Sequence, residues 1–304
     1  MIKYIRRVSN LIVIISAATY FNSMNVFAME AKVFAISDFI PAAAGGCNGN
    51  DMAFWDNMVD RWYDKMGAKG HIKDGQYTNG FMTIKRFCDP DIITGCNDHN
   101  FLDEADAAMI ATHGSDSGDH WAGTMRRPWS GHCKLDAGGT ATDMAVGDFD
   151  LEFIHFSSSY SADDDNLSGI REAMYDVSDT SVNGRRAHQW DGFHGVMWIS
   201  PSFANDYKNF ADDAHSISMS SAWVNNMYDS TVDCNWNDPF NWFGSCQEQC
   251  PVAYSISSTI ISVVNRLNNE RYNNVYSDPN GKNWYAYKYI RKCNPIGETA
   301  FNPN

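Results

Sequence analysis

Two short apolar segments, each followed directly by polar residues, constrain the fold of this chain most strongly. Residues 107–112 read AAMIAT and precede His113 and Gly114, while residues 151–156 read LEFIHF and precede three serines at 157–159. Such compact runs are typical of strands that are buried on both faces of a parallel sheet. Because neighbouring parallel strands end at the same edge of a sheet, we expect His113 and the serines to share one crevice.

The remaining pattern alternates strands with helices. From residue 51, apolar residues recur every three or four positions until Gly67, which predicts an amphipathic helix. Helices are also predicted over 207–214, over 219–227 and after Asn166, and residues 252–271 combine a strand with a helix. Further strands are predicted at 32–39, 81–87, 195–200 and 283–290. This order predicts an α/β protein with a mostly parallel sheet covered by helices on both faces.

The first 28 residues are typical of a cleavable secretory signal. Lys3, Arg6 and Arg7 precede an apolar run at 11–18, and residues 26–28 read VFA, with small residues at the positions that a signal peptidase recognises. A membrane anchor is the alternative, but polar residues interrupt the run before the roughly 20 apolar residues that a span requires. We therefore expect a secreted or periplasmic protein, with a single domain over 29–304 and no membrane span.

All eight cysteines lie after the predicted signal, four before residue 140 and four after residue 230. An even number of cysteines in an oxidising compartment predicts up to four disulfides, and this distribution suggests that bridges staple each end of the chain, including its C-terminal part. The spacing of the cysteines along the chain does not show which of them pair. A zinc site is the weaker alternative because no CxxC pair has a matching second half.

The net charge of −14 makes nucleic acid an unlikely partner, since an acidic surface repels phosphate. Acidic clusters at 116–119, 163–165 and 206–213 offer oxygen ligands for calcium, although none has the ligand order of a dedicated calcium loop. A solvated acidic surface is the alternative interpretation. We expect no cofactor and leave calcium open.

The segments AAMIATHG at 107–114 and FIHFSSS at 153–159 together resemble the caspase, clostripain and gingipain group of cysteine peptidases, clan CD. In that group one strand ends in His-Gly, and a following strand ends in a short stretch of small residues with the nucleophilic Cys. The spacing from His113 to Ser159 is similar to the His-to-Cys spacing of caspases. The resemblance covers roughly residues 32–290. It implies a caspase-like three-layer sandwich with His113 as the base.

The same resemblance places Ser159 at the nucleophile position, with Ser158 as its neighbour if the register shifts by one. A hydroxyl is far less acidic than a thiol, and it normally needs a base that a third group orients. The chain is therefore expected to be an inactive or altered peptidase homologue. Asp106, Asp116 and Asp119 are candidates for the third group if activity is retained.

Two alternatives stay open. One is an active serine-type hydrolase or peptidase that uses Ser159 and His113. The other is a secreted peptide-binding, glycan-binding or structural protein, for which loop aromatics are candidates: Trp121, Trp129, Trp236 and Trp242. The individual residues also have structural explanations, because Gly114 can supply an unusual backbone angle and the serines can satisfy unpaired backbone amides.

A peptide or protein ligand is the expected partner. Asp163, Asp164 and Asp165 follow the predicted nucleophile and would favour a basic group in a substrate. Trp190 and His194 lie near the same predicted edge and are further candidate lining residues, although packing explains them equally well. His155 points from a predicted buried strand and is expected to be a hydrogen-bonded core residue.

Overall fold

The computed structural model describes residues 28–138, 143–174, 187–233, 247–281 and 284–303. The predicted secretory signal, apart from residue 28, lies outside these residues, as do Cys234, Cys246, Trp236 and Trp242. In chain order, the strands and helices are β1 Glu30–Ala35, α1 Trp55–Ala68, β2 Ile72–Thr78, β3 Ala107–Ala111, β4 Gly114–Asp116, β5 Trp121–Trp129, β6 His132–Ala137, β7 Asp143–Met144, β8 Phe153–Ser157, α2 Leu167–Ala173, β9 Gln189–His194, α3 Ala204–Asp213, α4 Met219–Met227, β10 Asp229–Asp233, β11 Gln247–Ser257, α5 Ile260–Asn269 and β12 Trp284–Tyr289.

The main sheet is mostly parallel, as predicted. Its strands follow the order β10-β11-β9-β8-β3-β1-β2, and β12 also pairs with β11. The five strands β2, β1, β3, β8 and β9 run parallel, while β11 is antiparallel to β9 and pairs in antiparallel fashion with β10 and β12. The α/β class is therefore confirmed, with an antiparallel extension on one side.

Different layers cover the two faces of the sheet. On one face His155 of β8 contacts Trp62 of α1, Phe210 of α3 and Trp223 of α4. On the other face the next residue, Phe156, packs edge-on against Trp121 of β5. That strand belongs to a small second sheet, β4-β5-β6-β7. Helices cover the first face as predicted, whereas a small sheet covers the second face beside Phe156.

Most of the predicted elements are confirmed, and two predicted strands are wrong. Residues 81–87 are not a strand, because short 3-10 turns occupy Asn79–Phe81 and Ile84–Arg86. The strand predicted at 195–200 lies one segment earlier, at Gln189–His194, and Gly195 ends it with a left-handed φ of 76°. All six residues of β9 are buried, although Gln189, Asp191 and His194 are polar. A prediction based on apolar residue types therefore missed this strand.

Three disulfides confirm the expected cross-linking within the described residues: Cys47–Cys133, Cys88–Cys96 and Cys250–Cys293. Two of these bridges join cysteines of the first half of the chain, and the third joins cysteines near its end. Each bridge therefore staples one end of the chain to itself, as predicted. In the part of the chain that the structure describes, no helix is long and apolar enough to cross a membrane.

Candidate functional site

The ends of β3 and β8 touch each other at the carboxyl edge of the sheet, which we define as the edge where β3, β8 and β9 end. The two strands pair in parallel, with Ala111 opposite Ser157. Beyond this pair, a Cβ atom on Gly114 would lie closer than 3.0 Å to both the carbonyl oxygen of Ser159 and the hydroxyl of Ser158. The structure thus brings the His-Gly segment and the serine segment together.

This contact explains Gly114 differently from the sequence argument. The φ of Gly114 is not among the left-handed values of the chain, so the residue does not supply an unusual backbone angle. It is a glycine because the neighbouring strand end leaves no space for a side chain.

The three serines have three different environments. Ser157 is buried, and its Oγ accepts hydrogen bonds from Trp55 Nε1 at 2.8 Å and from the Tyr207 hydroxyl at 2.6 Å. Burial raises the pKa of Tyr207, so its hydroxyl stays a donor at neutral pH. Ser157 therefore links α1 and α3 to the sheet and has a structural role.

Ser158 and Ser159 differ in exposure. Ser158 is fully buried, and its Oγ accepts a hydrogen bond from Trp121 Nε1 at 3.2 Å. Ser159 is half-buried, and its Oγ accepts from the backbone N–H of Met197 at 3.2 Å. Of these two serines, Ser159 is the one that is partly exposed.

The loop that follows β1 fixes the ring of His113. The half-buried imidazole lies between Phe39 and Trp55, with centroid distances of 4.9 and 5.1 Å. Its Nε2 is 2.7 Å from the backbone carbonyl oxygen of Asn50. Because a carbonyl only accepts, Nε2 carries the hydrogen, and Nδ1 holds the lone pair of the neutral ring. This is the arrangement of an oriented base whose orienting group is a backbone carbonyl.

The three carboxylates considered as orienting groups have other partners in the described structure. Asp106 precedes β3, at the opposite edge of the sheet, and accepts a hydrogen bond from the backbone N–H of Glu30. Asp116 accepts from Gly118 N–H at 2.8 Å, and Asp119 is 2.6 Å from the ring of its neighbour in sequence. Sequence reasoning missed the Asn50 carbonyl because a backbone atom leaves no residue-type signal.

His113 and Ser159 leave adjacent strands but are held from opposite sides. The loop after β1 holds the imidazole, whereas the segment after β9 holds the hydroxyl. The main sheet places β1 and β9 on the two sides of the β3-β8 pair. The imidazole and the hydroxyl therefore follow adjacent strands at the same edge of the sheet and are anchored to different partners.

The acidic segment after Ser159 closes onto His194. The Nδ1 of His194 is 3.0 Å from Asp163 Oδ2 and 3.3 Å from Asp164 Oδ1, and its Nε2 is 2.8 Å from the carbonyl oxygen of Thr299. His194 and Asp163 are fully buried, Asp164 is half-buried and Asp165 is exposed. Asp165 is therefore the member of this segment that is accessible to a basic ligand.

In this cluster, the contact between His194 and Asp163 affects their pKa values more than burial does. Burial alone lowers the pKa of His194, but the contact with Asp163 raises it more, so the net pKa is above the ordinary value. Burial likewise raises the pKa of Asp163, while His194 and backbone N–H donors hold it below the ordinary value. The contact between His194 and Asp163 thus joins the segment after β8 to the end of β9 inside the protein.

Two other predicted residues lie in the core. Trp190 is fully buried, donates from Nε1 to the Ser161 carbonyl at 2.6 Å and stacks on Phe156, so its ring is not presented at the surface. His155 is also fully buried and is 2.8 Å from Asp191 Oδ2 through Nδ1, which confirms the expected core role. Trp121, considered above as a loop aromatic, is fully buried in β5.

Several groups of side chains in the described structure have metal-ligand spacing. Of the three acidic clusters considered from sequence, only 163–165 contributes to one, through Asp163, Asp164 and His194. Two overlapping groups lie elsewhere, and their members are Asp89, Asp91, Asp98, His99 and Asp148. Sequence reasoning missed these two groups because the aspartates at 89–98 are spaced apart along the chain and Asp148 comes from a distant segment.

The fold and this edge define the chain as a disulfide-bonded α/β protein with a mostly parallel sheet and an oriented histidine beside serines at its carboxyl edge. The chain belongs to the family described as domain of unknown function (DUF6345), whose family model matches residues 37–286. No curated protein sequence matches the chain.

Proposed function

We propose that this protein is an exported member of the caspase-like fold whose carboxyl edge does not perform thiol-peptidase chemistry. The observation that carries the proposal is the close approach of Gly114, the residue after His113, to Ser158 and Ser159 at the ends of two paired parallel strands. This juxtaposition is what the resemblance to clan CD peptidases implies, with a serine in place of the nucleophilic Cys.

The local chemistry favours an inactive site. A serine hydroxyl needs a strong, oriented base, and in serine hydrolases a carboxylate stabilises the imidazolium that forms when the base takes the proton. Here a neutral carbonyl, that of Asn50, occupies the orienting position. The Ser159 oxygen is held by the Met197 amide on the side of β9. Together these features leave the hydroxyl without the activation that acyl transfer requires.

One observation favours an active serine-type hydrolase as a second candidate. The Asn50 carbonyl selects the tautomer in which Nδ1 of His113 is free of its proton, as a general base requires. In that case the Ser159 proton would pass to Nδ1 as the oxygen attacks the acyl carbon. The hydroxyl would first have to exchange its contact with Met197 for one with His113.

Labelling with a fluorophosphonate probe separates the two candidates, because an activated serine displaces fluoride from the probe and forms a stable phosphonyl ester. We expect no labelling of the wild-type protein. Labelling that disappears in both Ser159→Ala and His113→Ala would establish the second candidate and refute the first.

A thiol placed at residue 159 tests the shared site itself. In Ser159→Cys, we expect the pH profile of iodoacetamide alkylation to give a thiol pKa below the ordinary value of about 8.5, because a nearby imidazolium stabilises the thiolate. The shift should disappear in Ser159→Cys combined with His113→Gln. Ser158→Cys is the matched control, since residue 158 is buried beside Trp121 and its thiol should react slowly. A thiol pKa near 8.5 at residue 159 that does not change in the His113→Gln background would refute the shared site.

Export is part of the proposal. It is supported by three disulfides in the described residues and by the signal-like sequence of residues 1–28. Expression of the full chain in a bacterial host should give an extracytoplasmic product whose intact mass lacks residues 1–28. An intracellular product of full mass would contradict export without affecting the argument about the edge.

A further inference from the structure

Two loops meet at the amino edge of the sheet, the edge where β3 and β8 begin. Asp103, four residues before β3, is fully buried, and its carboxylate accepts hydrogen bonds from the backbone N–H groups of Gly147, Phe149 and Leu151 at 3.0 to 3.1 Å. These bonds shape the loop before β8 around one carboxylate. They also fix the position of Asp148 within that loop.

Four carboxylates converge where these loops meet. The ligand atoms of Asp89, Asp91 and Asp148 lie within 4.8 Å of one another, and those of Asp89, Asp98 and His99 do so as well. The disulfide Cys88–Cys96 closes the segment that carries the first two of these aspartates. We call Asp89, Asp91, Asp98 and Asp148 the amino-edge cluster.

The state of Asp98 is the independent observation that points to a ligand. Its side chain is fully buried, yet neither carboxylate oxygen has a hydrogen-bond partner. Asp148, 3% exposed, is 2.7 Å from His99 Nε2 through Oδ2, while its Oδ1 also has no hydrogen-bond partner. Burying carboxylate oxygens without partners is costly, and native proteins satisfy such groups with donors or cations.

We propose that the amino-edge cluster binds one divalent cation, and that this cation is calcium. Calcium prefers six to eight oxygen ligands, including carboxylates that bind through one or both oxygens, and the amino-edge cluster offers four carboxylates. Zinc favours nitrogen and sulfur ligands in a tetrahedral site, and magnesium demands a tighter octahedral one. In this arrangement His99 occupies Oδ2 of Asp148, and Oδ1 is available to the ion.

Proton sharing among the carboxyls is the competing explanation. Burial, followed by the charges of Asp148 and Asp89, raises the pKa of Asp98 to about 9, so Asp98 would keep its proton at neutral pH in a cation-free cluster. The two explanations differ in one respect. A cluster that is stabilised by its protons does not bind calcium, whereas a calcium site releases its protons when it binds the ion.

Calorimetric titration of the full, EDTA-stripped protein with calcium chloride, together with thermal melting, tests this proposal. We expect one equivalent of calcium to bind and to raise the melting temperature. Asp98→Asn should weaken calcium binding at least tenfold and abolish the calcium-dependent rise. In EDTA the same variant should be about as stable as wild type, because an amide of similar shape replaces a carboxyl that is uncharged without the cation.

Two further variants keep the result interpretable. Asp91 is exposed, so Asp91→Asn should fold normally and still bind calcium more weakly. Asp165→Asn, an exposed change in the other acidic segment, should bind calcium as wild type does. The proposal is overturned if wild type gives neither heat nor a melting shift, if magnesium binds and calcium does not, or if Asp98→Asn and Asp91→Asn bind calcium as tightly as wild type.

Discussion

Replacing Gly114 with alanine is the most direct test of the contact between the two strand ends. The alanine Cβ would lie within 3.0 Å of three atoms, namely the Ser159 carbonyl oxygen, the Ser158 hydroxyl and Trp121 Nε1. The first of these is a backbone atom and cannot rotate away. Overpacking of this kind costs typically about 1–3 kcal/mol, and we expect a value near the upper end because a strand must move.

A smaller effect works in the opposite direction. Alanine restricts the unfolded chain and recovers about 0.4–1 kcal/mol, which leaves a net loss of roughly 2–2.6 kcal/mol. For a large domain, each kcal/mol lowers the melting temperature by about 2–4 °C, so Gly114→Ala should melt roughly 4–10 °C below wild type. Circular dichroism melting at one scan rate, with urea unfolding as a second measure, gives both quantities.

Gly80→Ala is the matched control for this experiment. Gly80 has no left-handed φ, and an alanine Cβ there would meet nothing within 4 Å. We expect its melting temperature to stay within about 2 °C of wild type or to rise slightly. Equal stability of Gly114→Ala and Gly80→Ala would refute the close approach of the strand ends, and with it the shared edge on which the proposed function depends.

Two further predictions concern the buried histidines. Asp191→Ala removes the buried acceptor of His155 and Gln189 and should lower the free energy of unfolding by about 1–3 kcal/mol in urea titrations; an unchanged free energy would contradict this buried hydrogen-bond network. Contact with Asp163 raises the pKa of His194 in the folded protein above the ordinary value of 6.5. The stabilisation from this pair should therefore be complete below pH 6.5 and should disappear as the pH rises through the folded-state pKa. The difference in the free energy of unfolding between wild type and His194→Gln should accordingly shrink towards alkaline pH. A difference that stays constant with pH would contradict the raised pKa.

The local sequence pattern was sufficient to predict a helix or strand where one face or both faces of that element are apolar. The helix α1 buries six residues that recur at three- and four-residue intervals, and β3 consists entirely of buried apolar residues. In both elements the apolar residue types alone predict which residues are buried. The neighbouring positions of β3 and β8, and hence a common edge for the residues that follow them, then agree with the rules of parallel sheets.

Pattern was insufficient where polar side chains satisfy one another inside the protein. The strand β9 reads QWDGFH, yet it is fully buried because Asp191 pairs with His155 and accepts two hydrogen bonds from Gln189. The partners come from different strands or from alternate positions of one strand. A hydrophobicity argument therefore assigned the strand to the more apolar residues 195–200.

The chemistry of the candidate site depends on atoms that sequence does not specify. The carbonyl of Asn50 orients His113, and a backbone oxygen would be present whatever the side chain at residue 50. The reason for glycine at 114 is likewise a distance to another chain segment and not a backbone angle. Residue types suggested the candidates, but only the tertiary structure identifies their hydrogen-bond partners.

The two edges of the sheet divide the candidate chemistry of this protein. The strand β3 has five residues, which at about 3.3 Å per residue separates its ends by about 16 Å. A cation at the amino-edge cluster is therefore too far away to polarise a bond at Ser159, and it can influence the carboxyl edge only by stabilising the fold. Removing calcium should accordingly lower the melting temperature without changing the alkylation pH profile of the Ser159→Cys thiol below the unfolding transition. A profile that follows calcium occupancy in the folded protein would show that the two edges are coupled, and that this spatial division does not hold.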